Sequence, residues 1–170
     1  MVYLIVSDIH GSTRGLEYLK SAIYLHKPDV IILLGDNLYG AIDGSASAVA
    51  SYFRFSEIPV LGVMGNCDFP QDAEAMGLDL PYERSFRFHD HRVIMQHHAF
   101  TRDLGPGDIG LFGHTHIKLL HENDGVILCN PGSLGKPRDG SPGYAVLEDG
   151  GIYLYDANKF QIIESVKFKH

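Results

Sequence analysis

Val2-Tyr-Leu-Ile-Val-Ser-Asp-Ile-His-Gly11 opens on five apolar residues and closes on a serine, an acid, a histidine and a glycine. An uninterrupted apolar run with a polar end reads as a strand buried on both faces, the kind that parallel sheets are built from. The pattern returns twice. Residues 30–34 run into Gly35-Asp36-Asn37, and residues 59–64 run into Gly65-Asn-Cys-Asp68. Between the first two strands, Thr13 offers a cap for a helix whose Leu16, Leu19, Ile23 and Tyr24 recur at helical spacing until Pro28. Residues 43–55 carry Ala and aromatic residues at the same period. Strands alternating with helices predict a parallel sheet and an α/β fold.

Beyond Pro81 the pattern shortens. Residues 85–89 and 92–96 read as strands joined by a turn at Asp90, and residues 109–112 as a strand ending in Gly113-His-Thr-His116. Residues 118–121 and 126–129 flank Asn123-Asp-Gly125, a hairpin signal because Asp-Gly accepts positive φ. A Gly/Pro-rich loop over 130–143 leads to three closing antiparallel strands at 144–147, 152–155 and 162–168. No linker or repeat divides the chain, so residues 1–170 are expected to form a single domain with a core that needs no disulfide.

The composition excludes several function classes. A net charge of −7 argues against stable nucleic-acid binding, which relies on Lys and Arg patches. Cys67 and Cys129 are far apart and form no C-x-x-C pair, which speaks against a thiolate zinc site or a disulfide framework and for a reducing, cytoplasmic setting. The apolar start is too short to span a membrane and lacks a signal peptide's basic start and cleavage site. Ten histidines exceed what solubility requires, and neutral imidazole is a common metal ligand.

Their placement carries the functional reading. Five predicted strands end in metal-binding side chains: Asp8 and His10, Asp36, Asn66 with Asp68, His97 and His98, His114 and His116. Sites in α/β sheets form at such strand ends. In Asp8-x-His10 and His114-x-His116 the one-residue gap would, in extended backbone, project both side chains to one side, and the neighbouring glycines would leave room for ions and substrate. His26, His89, His91, His121 and His170 lie away from these ends and are read as ordinary positions.

Asp8-Ile-His10, Gly35-Asp36, Gly65-Asn-Cys-Asp68, Gly113-His-Thr-His116, Asn130-Pro-Gly-Ser133 and Pro137-Arg-Asp-Gly140 together resemble the calcineurin-like metallophosphoesterase superfamily. Within it, the likeness is to small single-domain phosphodiesterases of the YfcE type. The resemblance implies an α/β–β/α sandwich of two sheets flanked by helices. It places one divalent metal on Asp8, His10 and His116 and another on Asn66, His97 and His114, with Asp36 bridging them. Nitrogen and oxygen donors without thiolate suit Mn, Fe, Co, Ni or Zn, and family members often use manganese or nickel. A hydroxide bridging the two ions would then attack a small phosphodiester in line.

Two departures bear on catalysis. Where many relatives have a histidine after the motif asparagine, this chain has Cys67, which with Asn66, Asp68 and His98 is read as a candidate catalytic residue, a weak acid beside Asp68 and otherwise a small packing residue. Where relatives have Thr-His-Gly-His, it has Gln96-His-His-Ala99. That alignment makes His97 the ligand and leaves His98 to line the pocket. The short segment 100–108, with Gly105-Pro-Gly107, implies an open site, and Lys136 and Arg138 are candidates for contacting substrate phosphate. A phosphomonoesterase, or a scaffold of the kind a retromer relative uses, are the alternatives. A homo-oligomer is compatible with the sequence.

Overall fold

The computed structural model describes residues 1–168. His170 therefore lies outside the described residues. Eleven strands and three helices follow one another as β1 (Tyr3–Val6), α1 (Thr13–His26), β2 (Val30–Leu33), α2 (Ala46–Arg54), β3 (Val60–Gly62), α3 (Pro70–Met76), β4 (Glu83–Phe88), β5 (His91–Gln96), β6 (Asp108–Leu111), β7 (Lys118–Asn123), β8 (Val126–Pro131), β9 (Gly143–Glu148), β10 (Gly151–Asp156) and β11 (Gln161–Lys167). They form a six-stranded sheet, β11-β10-β9-β1-β2-β3, and a five-stranded sheet, β4-β5-β6-β8-β7. In the first, β1, β2 and β3 are parallel and β9 joins β1 antiparallel. In the second, β5, β6 and β8 are parallel, with β4 and β7 antiparallel at the edges.

The central strands β1, β2 and β9 of the first sheet are buried on both faces, which is why they read as unbroken apolar runs. Alternate side chains divide between two cores. Leu4, Val6, Ile31 and Leu33 pack beneath the helices with Leu16, Leu19, Val49, Phe53 and Met76. Tyr3, Ile5, Ile32 and Leu34 face the second sheet and meet Val93, Met95, Ile109 and Leu111. Each such fully buried aliphatic side chain stabilises the fold by ~1.5–3 kcal/mol.

Several expectations change in detail. Ser12, not Thr13, caps α1, accepting from the Gly15 N–H at 2.9 Å, because the Thr13 hydroxyl is taken by Asp43. The helix α3 was not expected; it begins on Pro70, and Gly77 at φ +67° ends it. The two-sheet fold is as expected, but the described helices all pack on the first sheet. On the outer face of the second, Phe100 and Leu104 from the non-helical 99–107 segment cover Gly110, where an added Cβ would lie 2.7 and 2.8 Å from them. The Asp-Gly hairpin holds, with Asp124 at φ +49° and Gly125 at φ +78°, as a type I′ turn requires.

Candidate metal centre

The residues following β1, β2, β3, β5 and β6 converge where the C-terminal edges of the two parallel triads meet. Asp8, His10 and His116 form one cluster, and Asp36, His97 and His114 another. His116 Nε2 lies 3.1 Å from Asp8 Oδ1 and 3.1 Å from His10 Nε2. Across the site, Asn66 Oδ1 lies 2.9 Å from His97 Nε2 and 2.9 Å from His114 Nδ1. Asp36 stands between, its Oδ2 3.3 Å from His97 Nε2 and 3.8 Å from His10 Nε2.

The backbone brings them there differently from the extended geometry expected. Asp8, His10, Asp36, His114 and His116 all have φ between 52° and 67°, the left-handed region that non-glycine residues seldom occupy. Their side chains converge through tight turns, and His114 and His116 end in different clusters. Strain of this kind persists where the surroundings over-determine it. Gly113 and Gly65 give room to side chains of the site. A Cβ on Gly113 would lie 2.0 Å from Ser7 Oγ, and one on Gly65 2.2 Å from Asp36 Oδ1.

Hydrogen bonds fix which nitrogen each imidazole presents. His10 Nδ1 lies 2.6 Å from the Tyr39 carbonyl, His97 Nδ1 2.6 Å from that of Leu34, and His116 Nδ1 2.7 Å from that of Lys136. A carbonyl can only accept, so each Nδ1 carries the hydrogen and each Nε2 turns a lone pair inward. Lone pairs thus face lone pairs, at His10 against His116 and at His97 against Asn66. The carboxylate adds to the crowding. Asp8 Oδ2 accepts from Ser7 Oγ at 2.6 Å and the His114 N–H at 3.0 Å, whereas Asp8 Oδ1 is buried without a hydrogen-bond partner. Acceptors packed this way repel unless they share positive charge. The donor set and the orphaned oxygen fit divalent cations of borderline hardness.

Protonation follows the same logic. Burial pushes Asp8 up, but the neighbouring His10 and His116 rings and the Ser7 hydroxyl outweigh it and hold the carboxyl well below its usual range. Asp36 is likewise lowered, burial being overcome by His97 and the Cys67 N–H. Burial opposes charge on His10 and His97 too, yet the facing carboxylates raise both. His114 is lowered by burial and by His98 and His97. Burial, Asp36 and Asp68 push the Cys67 thiol up, so at neutral pH it carries its proton.

Two expected residues have other surroundings. Asp68, read as catalytic beside Cys67, is buried with both oxygens occupied, accepting from the N–H groups of Asp36, Asn37 and Gly65 at 2.8, 2.9 and 2.8 Å. It ties the loops after β2 and β3 together and does not face the cleft with a free oxygen. His98 is exposed, its ring 4.3 Å from that of His114, beside the centre, while His97 is buried with Nε2 in it. Lys136 and Arg138 line a cleft that starts at His116. The other histidines are engaged elsewhere: His26 with Tyr144, His89 with Asp149, His91 with Gly107 and Phe168, and His121 exposed on β7.

Sequence reasoning missed the supports. Ser133 Oγ donates to the Asp8 carbonyl at 2.6 Å, and Asn130 Nδ2 donates to Gly113 O and Thr115 Oγ1, both at 2.9 Å. The Asn130-Pro-Gly-Ser133 motif was the signal for both. No helix among the described residues is long and apolar enough to cross a membrane.

The sequence model of the calcineurin-like phosphoesterase superfamily domain matches residues 1–149. Phosphodiesterase YfcE of Escherichia coli K12 is 27% identical over 182 aligned residues, covering 98% of this chain and 97% of that protein. A solved structure of the E. coli phosphoesterase Yfce superposes with a TM-score of 0.92 at 22% identity, over 99% of this chain and 100% of the other. Vps29 of Entamoeba histolytica, solved with zinc, superposes with a TM-score of 0.70 at 20% identity, over 99% of this chain and 100% of the other. At these identities the superpositions bear on the fold alone. On the family match over most of its length, the chain belongs to the calcineurin-like phosphoesterase superfamily.

Proposed function

We propose that the chain is a metal-dependent phosphodiesterase acting on small phosphodiesters at a centre of two divalent cations, manganese or nickel first among them. One cation would be held by Asp8, His10 and His116 and the other by Asn66, His97 and His114, with the Asp36 carboxylate between the two groups available to both. The observation that carries this reading is the convergence of His10 Nε2, His116 Nε2 and the unpartnered, buried Asp8 Oδ1. The name of the E. coli relative favours diesters over monoesters.

Bound there, the cations would supply Lewis acidity to water and to the phosphoryl oxygens. The chain's own groups set the conditions for it. Backbone carbonyls hold three imidazoles in one tautomer, so no rotamer search precedes binding. The charges of Asp8 and Asp36 offset the repulsion between like cations. Cys67, protonated at neutral pH, can give a proton to a leaving group but not take one. Lys136 and Arg138 add positive charge on the His116 side. We also read the chain as cytoplasmic, since Cys67 and Cys129 are both free thiols.

Hydrolysis of bis(p-nitrophenyl) phosphate and p-nitrophenyl phosphate, by protein loaded with Mn, Ni or Mg, tests the reading. The diester should be turned over at least about tenfold faster than the monoester with Mn or Ni, and not after chelation. Preference for the monoester would make the protein a phosphomonoesterase. Two bound cations without turnover of either would leave a scaffold.

A further inference from the structure

A cleft of about 730 Å³ opens beside His116, within the roughly 300–1,000 Å³ of small-molecule sites. The loop that forms one wall is the loop that holds the ligand: Lys136 O accepts from His116 Nδ1, and the Arg138 N–H donates to His116 O at 3.0 Å. The opposite wall is the first turn of α1 with the segment around Asp43, whose carboxylate accepts from Ser12 Oγ, Thr13 Oγ1 and the Arg14 N–H. Three cations, Arg14, Lys136 and Arg138, line the cleft, and among the described residues none of them is ion-paired. Against one carboxylate already engaged in hydrogen bonds, they leave the cleft net positive in a chain of net charge −7. The remaining lining is largely apolar, with the Tyr18 ring on one element and Ile42, at 107% exposure, on another. Arg14 Nε donates to Tyr18 Oη at 2.9 Å, which orients the guanidinium.

A diester has a substituent on either side of the scissile phosphate, and a phosphate at the metal centre would extend one of them past His116. We propose that this cleft receives that substituent and prefers one bearing a second phosphate, met by Arg14, Lys136 and Arg138, on a planar or apolar body resting against Tyr18 and Ile42. The substrate class is then a nucleotide-like diester with an additional anionic group. The assignment rests on the diesterase reading of the neighbouring centre.

Binding separates the two claims. Metal-loaded protein is titrated calorimetrically with thymidine 3′,5′-bisphosphate and with thymidine 5′-phosphate. The bisphosphate should bind about tenfold more tightly, an advantage that shrinks as salt screens it. Arg14→Ala and Arg138→Ala, both at exposed positions, should each cut that advantage, and together bring it to twofold or less. Equal affinities in the wild type, or an advantage that survives the double substitution, would overturn the proposal. Bis(p-nitrophenyl) phosphate hydrolysis by the same samples reports separately on the diesterase reading: lack of turnover with the bisphosphate preference intact would strike that reading, and with it the cleft's role toward a diester substrate, and leave only a second-phosphate site.

Discussion

At the scale of residues, the sharpest contrast lies between neighbours. His97 is 2% exposed with Nε2 in the centre, and His98 is exposed beside it. His97→Ala should lose the cation on the Asn66 side and nearly all diester hydrolysis, whereas His98→Ala should keep both cations and alter mainly KM. Metal analysis of the two purified variants checks this; full metal content in His97→Ala would refute the assignment. Asp36→Asn removes the charge shared by the clusters, and its kcat should fall by about 10³ with fewer than two cations retained per chain. The convergence of these side chains was legible because strand ends announce them in sequence. Their conformation was not. Five of them sit at positive φ, which composition does not signal for Asp and His, so the even spacing of Asp8-x-His10 suggested extended backbone where the chain turns.

At the scale of elements, the loops after β2 and β3 are held by Asp68, and Asp68→Ala would strand the buried N–H groups of Asp36, Asn37 and Gly65. A loss of about 2–4 kcal/mol of stability is expected from orphaned buried donors, read as a lower urea midpoint, before any catalytic effect is considered. Unchanged stability with lost activity would return Asp68 to chemistry. The loops after β1 and β6 meet at Gly113, where a methyl group would overlap Ser7 Oγ, so Gly113→Ala should lower Tm and weaken the Asp8-side cation selectively. Metal titration of that variant, compared with wild type, is the check. Strands β1, β2, β9 and β10 were readable from their unbroken apolar runs. The helix α3 was not, since seven residues give too little periodicity, although Pro70 and Gly77 mark its two ends. Nor could the sequence show that Phe100 and Leu104 replace a helix on the second sheet, because that depends on what Gly110 leaves open.

At the scale of the whole molecule, the centre makes stability depend on pH in opposite ways with and without metal. Asp8 and Asp36, lowered in the fold, contribute stability that is complete above pH ~4 and lost as pH falls through their lowered values. His10 and His97, raised in the fold, contribute stability that is complete below pH ~6.5 and lost as pH rises through their raised values. In chelator-treated protein this contribution of His10 and His97 should fade as pH rises above ~6.5, partly offset by His26 and His114, which the fold lowers. Cations displace those protons, so manganese-loaded protein should instead lose stability below pH ~6.5. The Tm gain given by manganese over the chelator-treated sample should therefore grow as pH rises across this range, and a gain that does not change with pH would contradict the linkage.

The most direct test is a crystal structure of the manganese-loaded protein with anomalous data at the manganese edge. Two anomalous peaks are expected, one among Asp8, His10 and His116 and one among Asn66, His97 and His114, with an Asp36 oxygen in contact with both. A single peak, or peaks away from these side chains, would contradict the two-cation account.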